Sequence, residues 1–177
     1  MKASILAMIA LAVCGATHAS EIPVRLSSKV LYSDLVAVVK LKSVKNIGLV
    51  KQGGNESMRM QFVFSVDKVL KGIAGSEVTV VEDSVSFTFE GRGRWVSAGF
   101  RGDGLKVGEE FIGYLKKVDG RGGLYSLTGN SNQFLERIHR DNDEVAGVGQ
   151  DGSPVGLAEK LKEIRHIVSK EPREISE

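Results

Sequence analysis

The sequence predicts a mainly β fold: a small antiparallel β-barrel with a short N-terminal helix and a C-terminal amphipathic helix. Three observations carry this expectation. Met58, Met60, Phe62, Phe64 and Val66 alternate with Arg59, Gln61, Ser65 and Asp67, which is the period of a strand with one buried face. At least five short apolar runs of this kind are separated by Gly-, Asn- and Asp-rich turn signals. Near the C-terminus, Leu157, Leu161, Ile164 and Val168 fall on one stripe of a helix instead.

The N-terminus reads as an export signal. Lys2 supplies the basic end, Ile5 to Val13 an apolar run shorter than the ~20 residues of a membrane span, and Thr17-His18-Ala19 a small-residue cleavage site. Cleavage after Ala19 leaves residues 20–169 as one domain and 170–177 as a polar tail broken by Pro172, in a periplasmic or secreted protein. The alternative is a lipidated start at Cys14 in LAVC, where Val13 occupies a position that wants a small residue. With Ala19 as the site the only cysteine is lost, and no disulfide can staple the fold. Loss of Lys2 leaves 23 Lys plus Arg against 22 Asp plus Glu, a net charge of +1 that predicts no nucleic-acid partner. No later run is long and apolar enough to predict a transmembrane segment.

The elements follow in order. VRLSSKVLYSD sets Leu26, Val30 and Leu31 at helical spacing, a brief helix before the first strand. From Leu35, LVAVVKLKSVK is a strand, buried first and edge-like later. NIGLVKQGGNES has the composition of a loop, and the 58–66 alternation resumes strand structure up to VLKG. EVTVVED is a third strand, with SVSFTF continuing it beyond a bend. A Val-Gly turn introduces the strand in EEFIGYLKKV, and DGRGG joins it to LYSLTG as a hairpin. FLERI and EVAGV flank the turn HRDND, and Ser153 before Pro154 offers an N-cap for the last helix.

The segments SDLVAVVKLKSV, MQFVFSVDKVLKG, SEVTVV, LKVGEEFIGYLKK and LYSLTG, with VLKG and KVGEEF as landmarks, resemble bacterial secreted domains related to the netrin-like module, which includes the tissue inhibitors of metalloproteinases. The likeness spans Ser33 to Phe134. It implies an oligonucleotide/oligosaccharide-binding (OB-like) barrel. The animal inhibitors of that family chelate the protease zinc through an N-terminal cysteine and carry disulfides, whereas Ser20 to Pro23 contain no cysteine. The resemblance therefore carries the fold and gives no licence to transfer protease inhibition.

Chemistry-bearing motifs are sparse. GVGQDG has G-x-G-x-x-G spacing, but no second strand with an acidic residue follows the last helix, as a dinucleotide site needs. Asp141 and Asp143 could begin a calcium loop, yet Ala146 stands where that loop needs glycine, so HRDND reads as turn chemistry. His139 and His166 lack metal-pair spacing, and Ser131 in GNSNQ lacks the second glycine of a nucleophile elbow. Arg101-Gly102-Asp103 is an integrin-type tripeptide in turn-forming context, and Asn55-Glu56-Ser57 is a sequon only for a eukaryotic secretory pathway. Glu82-Asp83 and Glu109-Glu110 are adjacent on strands, so each pair faces opposite sides and reads as solvated strand ends. The expectation is no catalytic residue, no metal and no cofactor.

The stretch EGRGRWVSAGFRGDG, residues 90–104, is the candidate surface. Arg92, Arg94 and Arg101 offer planar donors for anionic groups, and Trp95 and Phe100 offer flat apolar faces. Two readings stand: a binding loop for another exported protein or an extracytoplasmic polymer, or a structural connection in which Trp95 caps the barrel end. The implied function is a non-enzymatic exported binding or interaction module. An inhibitor of a secreted hydrolase or protease is the alternative, and an extracytoplasmic hydrolase would require a clustered Asp/His/Ser pocket.

Overall fold

Beginning at Leu35, a Val-rich segment forms a strand long enough to serve two neighbours, and the rest of the sheet is built on it. The computed structural model describes residues 24–52, 55–87, 96–98, 105–118, 123–127, 134–147 and 154–171. In chain order these form α1 (Leu26–Tyr32), β1 (Leu35–Gln52), β2 (Asn55–Lys71), β3 (Glu77–Phe87), β4 (Val96–Ala98), β5 (Glu110–Lys117), β6 (Leu124–Leu127), β7 (Leu135–His139), β8 (Glu144–Gly147), β9 (Val155–Gly156) and α2 (Leu157–Lys170). Strands dominate, as predicted.

β1 pairs antiparallel with β2 from Val36 to Gln52, and on its other edge with β5 from Leu35 to Lys40. β3 follows β2 antiparallel. The far edge of β5 is shared: Glu110 to Gly113 hold β7, and Leu115 to Lys117 hold β6. β6 in turn lies parallel to β3 through Thr79–Leu124 and Val80–Tyr125. Five strands thereby close a ring in the order β1–β2–β3–β6–β5. The expectation of a purely antiparallel sheet is corrected by the β3–β6 contact. Beyond the ring, β4 adds to β3, and β8 and β9 continue from β7.

The core has two sides. On β5, Phe111 meets Phe64 edge-on with ring centroids 6.3 Å apart, while Tyr114 reaches β7 and α1 instead. β1 and β5 are therefore buried on both faces, from Leu35 to Val39 and from Phe111 to Leu115, and α1 packs against β5. That explains the continuous apolar run at the start of β1, and its polar alternation once the strand leaves β5.

Buried charge fixes the helices. The Glu136 carboxylate on β7 accepts from Lys29 Nζ of α1 at 2.9 Å and from the Tyr114 hydroxyl at 3.0 Å, and lies 3.2 Å from Lys160 Nζ of α2. Lys71 Nζ on β2 donates to the Val30 carbonyl at the end of α1, where a cation complements the helix dipole, and pairs with Glu171 beyond α2. Gly72 follows at φ +81°, and a Cβ there would come within 2.2 Å of the Asp34 carbonyl oxygen, so only glycine fits.

Several local expectations are overturned. Residues 46–52 and 55–57, read as a loop, are strand: Leu49 faces Met58 and Val50 faces Ser57. Gly48, at φ +122°, absorbs one of four register shifts that coil the hairpin. Cross-strand hydrogen bonding outweighs the loop-like composition here. α2 begins at Leu157 after Gly156, without a side-chain cap, because Val155 and Gly156 are used in β9; the expected cap Ser153 lies outside the described residues. Leu31 is half exposed, since the short helix turns Val30 inward.

Burial along β2 grades with distance from the ring. Phe62 and Phe64 are each 1% exposed, Met60 is half-buried and Met58 is 43% exposed, because the hairpin projects past the edge where β5 stops. Met58 therefore leaves the buried set the alternation suggested. In urea denaturation, Phe62→Ala and Phe64→Ala should each cost about 3–5 kcal/mol, with Met58→Ala and Gln61→Ala each below about 1 kcal/mol. Equal losses at all four positions would contradict this register.

Candidate functional site

On the ring, strand alternation separates an inward set from an outward one. Val78 and Val80 of β3 and Tyr125 and Leu127 of β6 are buried, while Val81 and Asp83, and Leu124 and Ser126, belong to the opposite phase. Together with Arg59 of β2 and Val118 after β5, these outward residues and Glu82 line an open groove of about 580 Å³.

Arg59 and Asp83 are direct partners in the β2–β3 register. The guanidinium donates from Nε to Oδ1 at 2.6 Å and from Nη2 to Oδ2 at 2.7 Å, a two-point pair. The hydrogen bond from Arg59 and its charge hold the Asp83 carboxyl below its ordinary range against the effect of burial, and Asp83 raises Arg59 correspondingly. The pair neutralises itself.

Glu82 stands apart. It continues the apolar phase of Val78 and Val80, opposite Met60, and its Oε1 accepts the Leu127 N–H of β6. The backbone pairing of β3 with β6 ends at Val80–Tyr125, so the side chain supplies an acceptor where the ladder stops. Burial pushes the Glu82 carboxyl up to about 7, the Leu127 hydrogen bond opposes this, and the neighbouring Asp83 charge adds to it. Among the described residues no lysine or arginine pairs with Glu82.

The Glu82-Asp83 pair does turn to different partners, but the expectation of solvated strand ends is corrected: one carboxylate bridges to β6 and the other to β2. Glu109 likewise accepts the Lys106 N–H at 2.8 Å and lies 3.2 Å from Arg137, and Glu110 pairs with Arg140. His139 and His166 are exposed on separate elements, and among the described residues no three His, Cys, Asp or Glu side chains are grouped as metal ligands. No described helix is long and apolar enough to cross a membrane.

Arg92, Arg94, Trp95, Phe100 and Arg101 lie outside the described residues. Between them, Val96–Ala98 pair with Val85–Phe87, so the middle of the 90–104 stretch is a strand at the end of β3. Sequence reading missed the groove. The available signal was an acidic residue in the apolar phase of VTVVED, which alternation alone marks as unusual.

Glu82 makes stability pH-dependent with a defined sign. Its folded value is raised above its ordinary 4.5, so its contribution is fully present below about pH 4.5 and is lost as pH rises through about 7. Glu82→Gln keeps an acceptor for Leu127 and removes the charge. It should stabilise the protein by about 2–3 kcal/mol at pH 8, with the gain vanishing near pH 4.5, in urea denaturation across that range. Equal stabilities at pH 8 would contradict the assignment.

No protein-family model matches this chain, and no curated protein matches it.

Proposed function

We propose that the chain is an exported, non-enzymatic binding module built on an OB-type barrel of the netrin-like kind, holding its ligand in the groove over β2, β3 and β6. The observation that carries this is the open groove over β2, β3 and β6, whose lining residues include Glu82, a partly buried acid that no described cation pairs. Charge of that kind is costly to keep in a fold that a glutamine would serve as well, and such costs concentrate at functional sites.

The strand order supports the barrel reading. Five strands closing as first, second, third, fifth and fourth form a Greek-key ring, and in barrels of this class ligands sit on the second and third strands beside the loops joining first to second and fourth to fifth. The groove lies on that face, bounded by Val118 at the start of the fourth-to-fifth connection. Within the 90–104 stretch Val96–Ala98 pair with the end of β3, and the arginines and aromatic rings of that stretch are the proposed extension of the surface. The export signal in residues 1–19 gives the proposed location, periplasmic or secreted.

Two variants test this by capture of a partner from an extracytoplasmic extract. Ser126→Trp fills the groove from an outward position, and a combined Arg92, Arg94 and Arg101 to Ala variant strips the 90–104 stretch of its arginines. Each should retain the melting temperature within about 2 °C and lose at least about tenfold in capture, the equivalent of one charge-assisted hydrogen bond. Undiminished capture in both would contradict the proposal, and loss of activity of a co-secreted protease on adding the wild-type protein would favour the inhibitor reading instead.

A further inference from the structure

We infer that the groove receives an uncharged, extended stretch of a partner polypeptide, with one aliphatic side chain on the groove walls and the backbone of the same residue on the Arg59–Asp83 pair. This rests on the binding reading above and names the chemistry of the ligand for the same groove. The charges on that face cancel: Arg59 and Asp83 are cross-strand partners on β2 and β3, joined at 2.6 Å and 2.7 Å. Glu82 borders the groove, but its side chain falls in the apolar phase of β3 with Val78 and Val80, and its Oε1 accepts the Leu127 N–H. Beyond the pair the lining is apolar, with half-buried Val81 of β3, Leu124 of β6 and Val118 after β5, and the Ser126 hydroxyl beside them.

A charged ligand gains little from this arrangement. An anion reaching Arg59, or a cation reaching Asp83, meets the opposite member of a two-point pair at hydrogen-bond distance, so it gives up hydration for little net attraction. An uncharged group that both donates and accepts leaves the pair intact. After their mutual bonds the guanidinium has N–H groups to spare and the carboxylate has lone pairs to spare, and both side chains remain partly exposed. In an extended residue the N–H and C=O point to the same side, as in a ladder pair, so one residue can donate to Asp83 and accept from Arg59. Its side chain stands out of that plane and meets the walls. Among the described lining residues none is aromatic, so sugar rings and bases find no flat stacking surface, whereas a branched aliphatic side chain finds matching contacts.

The probes are N-acetyl-leucine methylamide, its glycine counterpart, and two charged analogues, the N-acetyl-leucine anion and the leucine methylamide cation. Each is titrated into the full chain at about pH 6.5, where both charges are present, and followed at the Arg59 Nε–H and Ser126 amide resonances. The expected result is saturable shifts with the neutral leucine probe, at least about fivefold weaker binding of glycine, as for burial of half a leucine side chain, and weaker binding of either charged analogue. In Asp83→Asn the freed Arg59 should let the anion overtake the neutral probe, and in Arg59→Gln the freed Asp83 should let the cation do so. Equal affinity for leucine and glycine, a charged analogue that binds the wild type as tightly as the neutral one, or an unchanged order in both variants would overturn the assignment while leaving the groove a site. Saturable shifts with methyl glucoside and none with the leucine probe would overturn it in favour of a saccharide. Silence at both resonances with every probe would overturn it as well, and the groove-filling Ser126→Trp variant then decides separately whether the surface binds at all.

Discussion

Two residue pairs, Thr79–Leu124 and Val80–Tyr125, close the ring, and the site depends on how briefly they do so. β6 spans only four residues and divides its edges between β3 and β5. The Thr79 N–H extends the contact by one bond, to the Gly123 carbonyl at 3.3 Å. Past Val80 the ladder has no further backbone pair, and a buried N–H left without an acceptor costs about 1–3 kcal/mol. Glu82 supplies the acceptor. Closure by so short a contact thus places a carboxyl group in the apolar phase of β3, with the buried Val78 and Val80.

The remaining polar clusters hold the frame around that closure. Glu136 receives Lys29, Lys160 and Tyr114 from two helices and a neighbouring strand, in surroundings where an unpaired ion would cost several kcal/mol. Burial is the first cause pushing the Tyr114 hydroxyl well above its ordinary range, reinforced by the Glu136 charge it donates to. Asp34 starts β1 in the same manner, its carboxylate accepting the Lys117 N–H and facing Lys116 Nζ at 3.3 Å. These contacts are all satisfied within the fold. Glu82 differs because, among the described residues, its partner is a backbone N–H and its charged neighbour has the same sign.

Much of this fold could be read from residue order because its local signals agree. Period-two alternation marked β2, the Val-rich run marked the doubly buried start of β1, and the Leu157, Leu161, Ile164 and Val168 stripe marked α2. The hairpin beyond Lys45 was hidden because Gly, Asn and Gln favour loops in isolation and pair as strand only once Met58 to Gln61 lie opposite. Parallel closure of the ring was hidden for a related reason: a contact between residues 79–80 and 124–125 leaves no periodic trace. The groove needs that contact, so Arg59, Glu82, Asp83 and Ser126 could not be grouped beforehand, although Glu82 was a visible acid in the apolar phase of Val78 and Val80. The five residues favoured from sequence, Arg92, Arg94, Trp95, Phe100 and Arg101, lie outside the described residues, and the strand Val96–Ala98 between them pairs with β3.

A single carboxyl group, that of Glu82, stands at the point where the ring closes. Its most direct measurement is a carbon-13 NMR titration of the Glu82 side-chain carboxyl in the wild-type protein between about pH 3 and pH 9, observed beside the other glutamates. A midpoint near 7, with the Leu127 amide resonance moving at the same pH, is the predicted result. A midpoint near the ordinary 4.5, or a Leu127 amide that ignores the titration, would contradict the claim that Glu82 is the buried, unpaired charge at the seam.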